Sequence, residues 1–157
     1  SVGSEVIGTR VHGDYHLGQV LIDSNDFIVI DFEGEPGRTL EERRAKVSPL
    51  KDLAGMLRSL DYAASSARTR ALEFDPGDEP RLSALLESWR DASAQAFLRG
   101  WHAAASASPV PLWPVEGGQA LLELYVLEKA IYELRYEIDH RPSWIGVPLA
   151  GLARLLD

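Results

Sequence analysis

This 157-residue chain contains no cysteine. Disulfides, thiolate metal sites and cysteine nucleophiles are therefore excluded, and a reducing, cytoplasmic setting is expected. No apolar run approaches the ~18 residues that a membrane-spanning helix needs. The opening residues, Ser1 to Val6, lack the basic and apolar segments of a signal peptide. The chain starts with Ser rather than Met, so processing or a longer parent chain is expected. Positive charge is scarce: 16 Lys and Arg against 24 Asp and Glu leave a formal net charge of −8. Nucleic acid and anionic membranes require clustered Lys and Arg, so neither is an expected partner. There is no Gly-x-Gly-x-x-Gly loop, no Walker sequence and no strand lysine of the kind that grips phosphates. A nucleotide ligand stays open, because a metal can supply positive charge locally.

What is present begins with length. A chain this size forms one domain, or the greater part of one, and can bury roughly 70% of its extended surface. Two acidic clusters lie a short hairpin apart. The first is His12-Gly13-Asp14-Tyr15-His16-Leu17-Gly18-Gln19 and the second is Ile30-Asp31-Phe32-Glu33-Gly34-Glu35-Pro36. Residues 19–23 and 27–32 read as strands around a polar turn, with Ile28, Val29 and Ile30 as a buried run. Thr39 followed by Leu40-Glu41-Glu42 predicts an N-cap and a short helix over 40–46. Pro49 opens a helix predicted over 49–67. A second is predicted from Pro80 to about Ala105, with Leu82, Leu85, Leu86, Trp89, Ala92, Ala96 and Phe97 as its apolar stripe. Residues 106–118 read as a surface loop. A third long helix runs from Ala120 to about His140, with Leu121, Leu124, Leu127, Ile131, Leu134 and Ile138 facing inward. Residues 148–156 form a short last helix. The fold class is α+β, mostly helical: a β-hairpin carrying the functional loop, then three long helices.

The hairpin brings Asp14, Gln19, Asp31 and Glu33 to one end of a small sheet. Carboxylates and an amide meeting there suit magnesium and phosphate, and phosphoryl transfer needs mainly a positioned hydroxyl and neutralised phosphate charge. Asp14, in a loop between Gly13 and an aromatic, can accept or orient the proton of an attacking hydroxyl. The plainer alternative is a turn aspartate satisfying its own loop. Asp31 and Gln19 can ligate the metal. Glu33 reaches the same side as Asp31 if the strand continues; otherwise both cap the next turn. His12 is expected to hold the loop by hydrogen bonds, and His16 either does the same or acts as a ligand or base. A hard carboxylate–amide set suits magnesium better than zinc. His102 and His140, near helix ends, read as solvent-facing or capping residues. Tyr132 and Tyr136 share a helix face near Trp144. Aromatics beside charges can stack on a sugar, but from spacing alone core packing is the better reading.

Arg10-Val11-His12-Gly13-Asp14-Tyr15-His16-Leu17-Gly18-Gln19 resembles the His-Gly-Asp-x-His-x-x-Asn loop of the aminoglycoside phosphotransferase and choline-kinase-like superfamily. Gln19 in place of Asn, the 31–36 and 52–64 segments, and Glu128 to Glu137 followed by Arg141-Pro142-Ser143-Trp144 are similar to the maltokinases within it. Strong resemblance covers about 10–64 and 126–152. It implies a kinase-like C-terminal lobe and the transfer of phosphate from ATP to maltose, with magnesium, giving maltose 1-phosphate in α-glucan metabolism. It implies that Asp14 is the base and that Gln19 and Asp31 bind metal. Tyr132 and Tyr136, with Trp144, Trp101 and Arg154, fall in the implied sugar pocket. Such kinases also occur fused to trehalose synthase. The N-lobe that would grip adenine and phosphate is missing from this sequence, so negligible activity is expected of the 157 residues alone. Two alternatives stand: a phosphotransferase acting on another sugar, an aminosugar or an aminoglycoside, and a non-catalytic sugar-binding module. A cationic acceptor would want free carboxylates in the pocket; maltose would want aromatics.

Overall fold

The computed structural model describes residues 7–156. The reading of Val6 as the start of an extended segment falls partly outside them. Thr9 pairs with Val47 across an isolated antiparallel bridge. After the loop at 12–16, one 3-10 turn (Leu17–Gln19) leads into β1 (Val20–Asp23). β2 (Asp26–Val29) returns antiparallel, with Val20 opposite Val29 and Asp23 opposite Asp26. Helix α1 (Leu40–Arg44) starts at a capping box, in which the Thr39 hydroxyl accepts from the Glu42 amide and the Glu42 carboxylate accepts from the Thr39 amide. Three long helices follow: α2 (Leu50–Leu72), α3 (Glu79–Ser106) and α4 (Gly118–His140). Helix α5 (Gly146–Leu156) ends the described chain.

Helix α2 is the axis of the fold and packs against α3, α4 and α5. Leu50, Leu53 and Ala54 on α2 meet Leu122 on α4, and Phe97 and Trp101 of α3 close over them. These buried aliphatic groups supply the main apolar stabilisation, at about 1.5–3 kcal/mol for each large side chain. No helix among the described residues is long and apolar enough to cross a membrane.

Several expectations need correcting. The second strand stops at Val29 rather than 32, and Ile28 and Ile30 are exposed rather than buried. The sheet has only two strands, and Leu21, Ile22, Phe27 and Ile28 on it are all exposed. On α4, Leu124, Ile131 and Ile138 are 58%, 54% and 55% exposed, although the spacing predicts them inward. The inward face carries Leu122 and Ala130 together with Lys129, Glu133 and Glu137, so its polar groups turn the apolar periodicity to the wrong side. On α3 the same slip exposes Leu85, Trp89, Ala92 and Ala96, while Phe97, Leu98 and Trp101 face the core. His102 is half-buried, its ring centroid 4.5 Å from that of Trp113, so it is a packing residue. Trp113 and the buried Pro114 also make the 106–118 segment part of the core wall.

Candidate functional site

One face of α2 builds the loop at 12–16. The Asp52 carboxylate accepts from the backbone amides of His12 at 2.7 Å and Gly13 at 2.9 Å. One turn later, a Cβ on Gly55 would lie 2.5 Å from the Tyr15 carbonyl oxygen, so only glycine lets the loop rest on the helix. One turn further, the Ser59 hydroxyl accepts from the Leu17 amide at 2.9 Å. Asp52, Gly55 and Ser59 follow the helical repeat, which places all three on the same side. Gly13 has φ +86, and the loop there lies against Gly34.

His12 ties this loop to the end of β2. Its Nδ1 accepts from the Asp14 amide at 3.3 Å and its Nε2 lies 2.7 Å from the Ile30 carbonyl. A carbonyl only accepts, so Nε2 carries the proton and the ring is neutral. Its ring packs on Phe32 and Tyr15. His16 caps the following turn through Nδ1, which accepts from the Gly18 amide, and its Nε2 stands 3.9 Å from Asp14.

Asp14 faces a cleft between the loop, the 35–37 turn, α2 and the C-terminal half of α4. Its volume is about 690 Å³, within the ~300–1,000 Å³ usual for small-ligand sites. Lys129 on α4 donates to Asp14 Oδ1 at 3.2 Å and to Glu35. Burial opposes ionisation of Glu35, but Lys129 and Arg38 beside it hold its carboxyl below the usual carboxylate range. Burial likewise works against charge on Lys129, and Glu35 and Asp14 outweigh it, holding the ammonium above the usual lysine range. Tyr132 and Tyr136 line the same cleft, with Tyr62, Glu133 and Glu137. Burial raises the Glu133 carboxyl even though the fully buried Arg58 reaches it at 2.7 Å. Burial, the Glu133 charge and a hydrogen bond to Glu137 push the Tyr62 phenol well up.

The other predicted site residues lie around this cleft rather than in it. Gln19 Nε2 donates to Asp31 Oδ2 at 2.8 Å, so these two meet at the hairpin base. Asp31 has φ +63 and Phe32-Glu33 form a turn, so the strand continuation that would align Glu33 with Asp31 does not occur. No group of three or more His, Asp or Glu side chains poised for a metal occurs among the described residues. Gln19 and Asp31 offer one carboxylate and one amide oxygen, a hard donor set that fits magnesium held mainly by water and phosphate. Trp144 stacks on Tyr62, centroids 6.1 Å apart, lies against Arg141 at the edge of the cleft and lines a second pocket. Arg154 lines that pocket too and pairs with Asp61. Trp101 lies with Trp113 against the core, on the opposite side of the 12–16 loop.

Sequence reasoning missed Asp52, Gly55, Lys129, Glu35, Glu133 and Glu137. The signal for two groups of them was present. Asp52, Gly55 and Ser59 share one helical face, and so do Lys129, Tyr132, Glu133, Tyr136 and Glu137.

No family model matches the chain. It is 29% identical over 146 residues to a glucosamine kinase of Streptacidiphilus jiangxiensis, covering 93% of this chain and 31% of that protein. It is 33% identical over 146 residues to a glucosamine kinase of Mycolicibacterium smegmatis, covering 93% and 34%. Among solved structures it resembles a glucosamine kinase in complex with glucosamine, ADP and inorganic phosphate. That match has a TM-score of 0.74 and 27% identity and covers 93% of this chain and 32% of the other. A second crystal form of glucosamine kinase matches with a TM-score of 0.75 and 28% identity, over 94% and 34% of the two chains. The chain therefore spans about a third of the length of the curated relatives it matches. Its similarity is to sugar kinases.

Proposed function

We propose that this chain is the acceptor-binding and proton-accepting lobe of an ATP-dependent sugar kinase, with maltose as acceptor. The observation that carries the reading is Asp14, held by a built loop beside a cleft that Tyr62, Tyr132 and Tyr136 line together with paired charged groups. In this reading the sugar lies against Tyr132 and Tyr136, and Asp14 accepts the proton of the attacking hydroxyl. Lys129 keeps Asp14 in place and ties it to Glu35. Gln19 and Asp31 would hold magnesium, which when bound neutralises the charge of the transferring phosphoryl group. The remaining part of the kinase would supply the grip on the nucleotide, and association with trehalose synthase belongs to this reading as well.

A neutral acceptor is favoured by the state of the carboxylates. Asp14 and Glu35 contact Lys129, Glu133 contacts Arg58, and Glu137 contacts Arg141. Each has a cation of the protein beside it, so an incoming ammonium group would compete for a carboxylate that is already paired. The second reading takes glucosamine as acceptor, on the strength of the names its relatives carry. An ATP-consumption assay of the intact protein against maltose, glucose and glucosamine separates the two. Turnover with maltose supports the first, turnover with glucosamine alone supports the second, and turnover with no sugar refutes both. Asp14→Asn should abolish turnover while sugar binding persists. A non-catalytic sugar-binding module would bind without turnover even before that change.

A further inference from the structure

Glu137 differs from the other carboxylates of the cleft. Its side chain is 1% exposed, and one oxygen accepts from the Tyr62 hydroxyl at 3.0 Å and from the Arg141 guanidinium at 2.6 Å. The other oxygen, Oε2, is buried without a hydrogen-bond partner. An ionised carboxylate in that setting needs a countercharge close by. Arg141 provides it. The Arg141 guanidinium carbon also lies 5.5 Å from the ring centroids of both Tyr136 and Trp144. A carboxylate with two aromatic faces is the set that attracts a ligand ammonium. Here a side chain of the protein already fills that position.

We propose that Arg141 is the charge-selecting residue of the acceptor cleft. It occupies the cation position formed by Glu137, Tyr136 and Trp144, and so turns away sugars that carry an ammonium group while admitting neutral ones. The proposal rests on the sugar-kinase reading above and adds a residue and a rule of selection to it. Arg141 is 48% exposed and lies beyond the end of α4, so replacing it removes charge without opening the core. With the guanidinium gone, Glu137 becomes a buried carboxylate that wants a donor, and a protonated 2-amino group can supply one.

The test uses the intact protein, with isothermal titration of D-glucose and D-glucosamine at a pH where the amine is protonated. The two sugars differ at one substituent. In Arg141→Gln the ratio of glucosamine affinity to glucose affinity should rise about tenfold, a change expected from removing one nearby, partly solvated cation. Arg141→Lys keeps the charge and should leave the ratio near that of the unchanged protein. Adding Glu137→Gln to Arg141→Gln should erase the gain. Unfolding curves confirm that each variant is folded. Binding of both sugars with a ratio changed less than threefold in Arg141→Gln overturns the role of Arg141 and leaves the sugar-kinase reading standing. Absence of binding by any sugar, maltose included, to the folded unchanged protein overturns that reading and this one with it.

Discussion

Asp52→Ala removes the clamp that shapes the 12–16 loop. Two backbone amides, of His12 and Gly13, lose a carboxylate acceptor at 2.7 and 2.9 Å. Hydrogen bonds to a charged group contribute about 1.5–3 kcal/mol each. Asp52 is half-buried, so the lower end applies to each, and the pair sums to about 3 kcal/mol. In a domain of ~150 residues each kcal/mol moves the unfolding midpoint by about 2–4 °C, so a fall of about 6–12 °C follows. Asp52→Asn keeps one acceptor oxygen and turns a donor toward the other amide, so it should lose at least half as much. Calorimetric unfolding of the three proteins measures this. A fall in kcat larger than the change in KM should accompany it, because the loop that loosens carries Asp14. A midpoint lowered by less than about 2 °C in Asp52→Ala would show that the loop is shaped by something other than this carboxylate.

Gly55→Ala should destabilise by about 1–3 kcal/mol despite the better helix propensity of alanine, because its Cβ meets the Tyr15 carbonyl; chemical denaturation reads this, and a stabilised variant would refute the close approach. Lys129→Met should cost about 2 kcal/mol near neutral pH, less than a fully broken buried pair, because Arg38 still contacts Glu35. The pH dependence follows from the two shifts. The Glu35 carboxyl is held low, so its contribution is present above the ordinary carboxylate range and is lost as pH falls through its folded pKa. The Lys129 ammonium is held high, so its contribution is present below the ordinary lysine range and is lost as pH rises through its folded pKa. The stability difference between the unchanged protein and Lys129→Met should therefore be widest between those limits and shrink toward both extremes. A difference that is flat with pH would refute the pairing.

The elements were legible where local chemistry decides them. Thr39 and Glu42 announce a cap, Pro49 announces the start of α2, and the Leu50–Leu53–Leu57 spacing announces its buried face. The two apolar β-branched runs around a polar turn mark the hairpin, but not where it stops, because Asp31 turns the chain through a left-handed conformation that no local residue preference requires. The inward face of α4 was misread for a physical reason. A helix that lines a polar cleft turns charged residues inward, and Lys129, Glu133 and Glu137 then displace Leu124, Ile131 and Ile138 to the outside. At the site, the sequence marked Asp14 and its histidines, and Gln19 with Asp31, because these follow one another along a loop and a hairpin. Asp52 and Lys129 escaped because they reach the loop from 40 and 115 residues away, a proximity only the packed helices create.

The most direct measurement follows the fate of the γ-phosphate of ATP in the intact protein given maltose, before and after Asp14→Asn. Phosphorus NMR of the products should show a sugar 1-phosphate formed by the unchanged protein and none formed by the variant, with maltose still bound by both. Equal product from both proteins would contradict the assignment of Asp14 as the group that accepts the acceptor's proton.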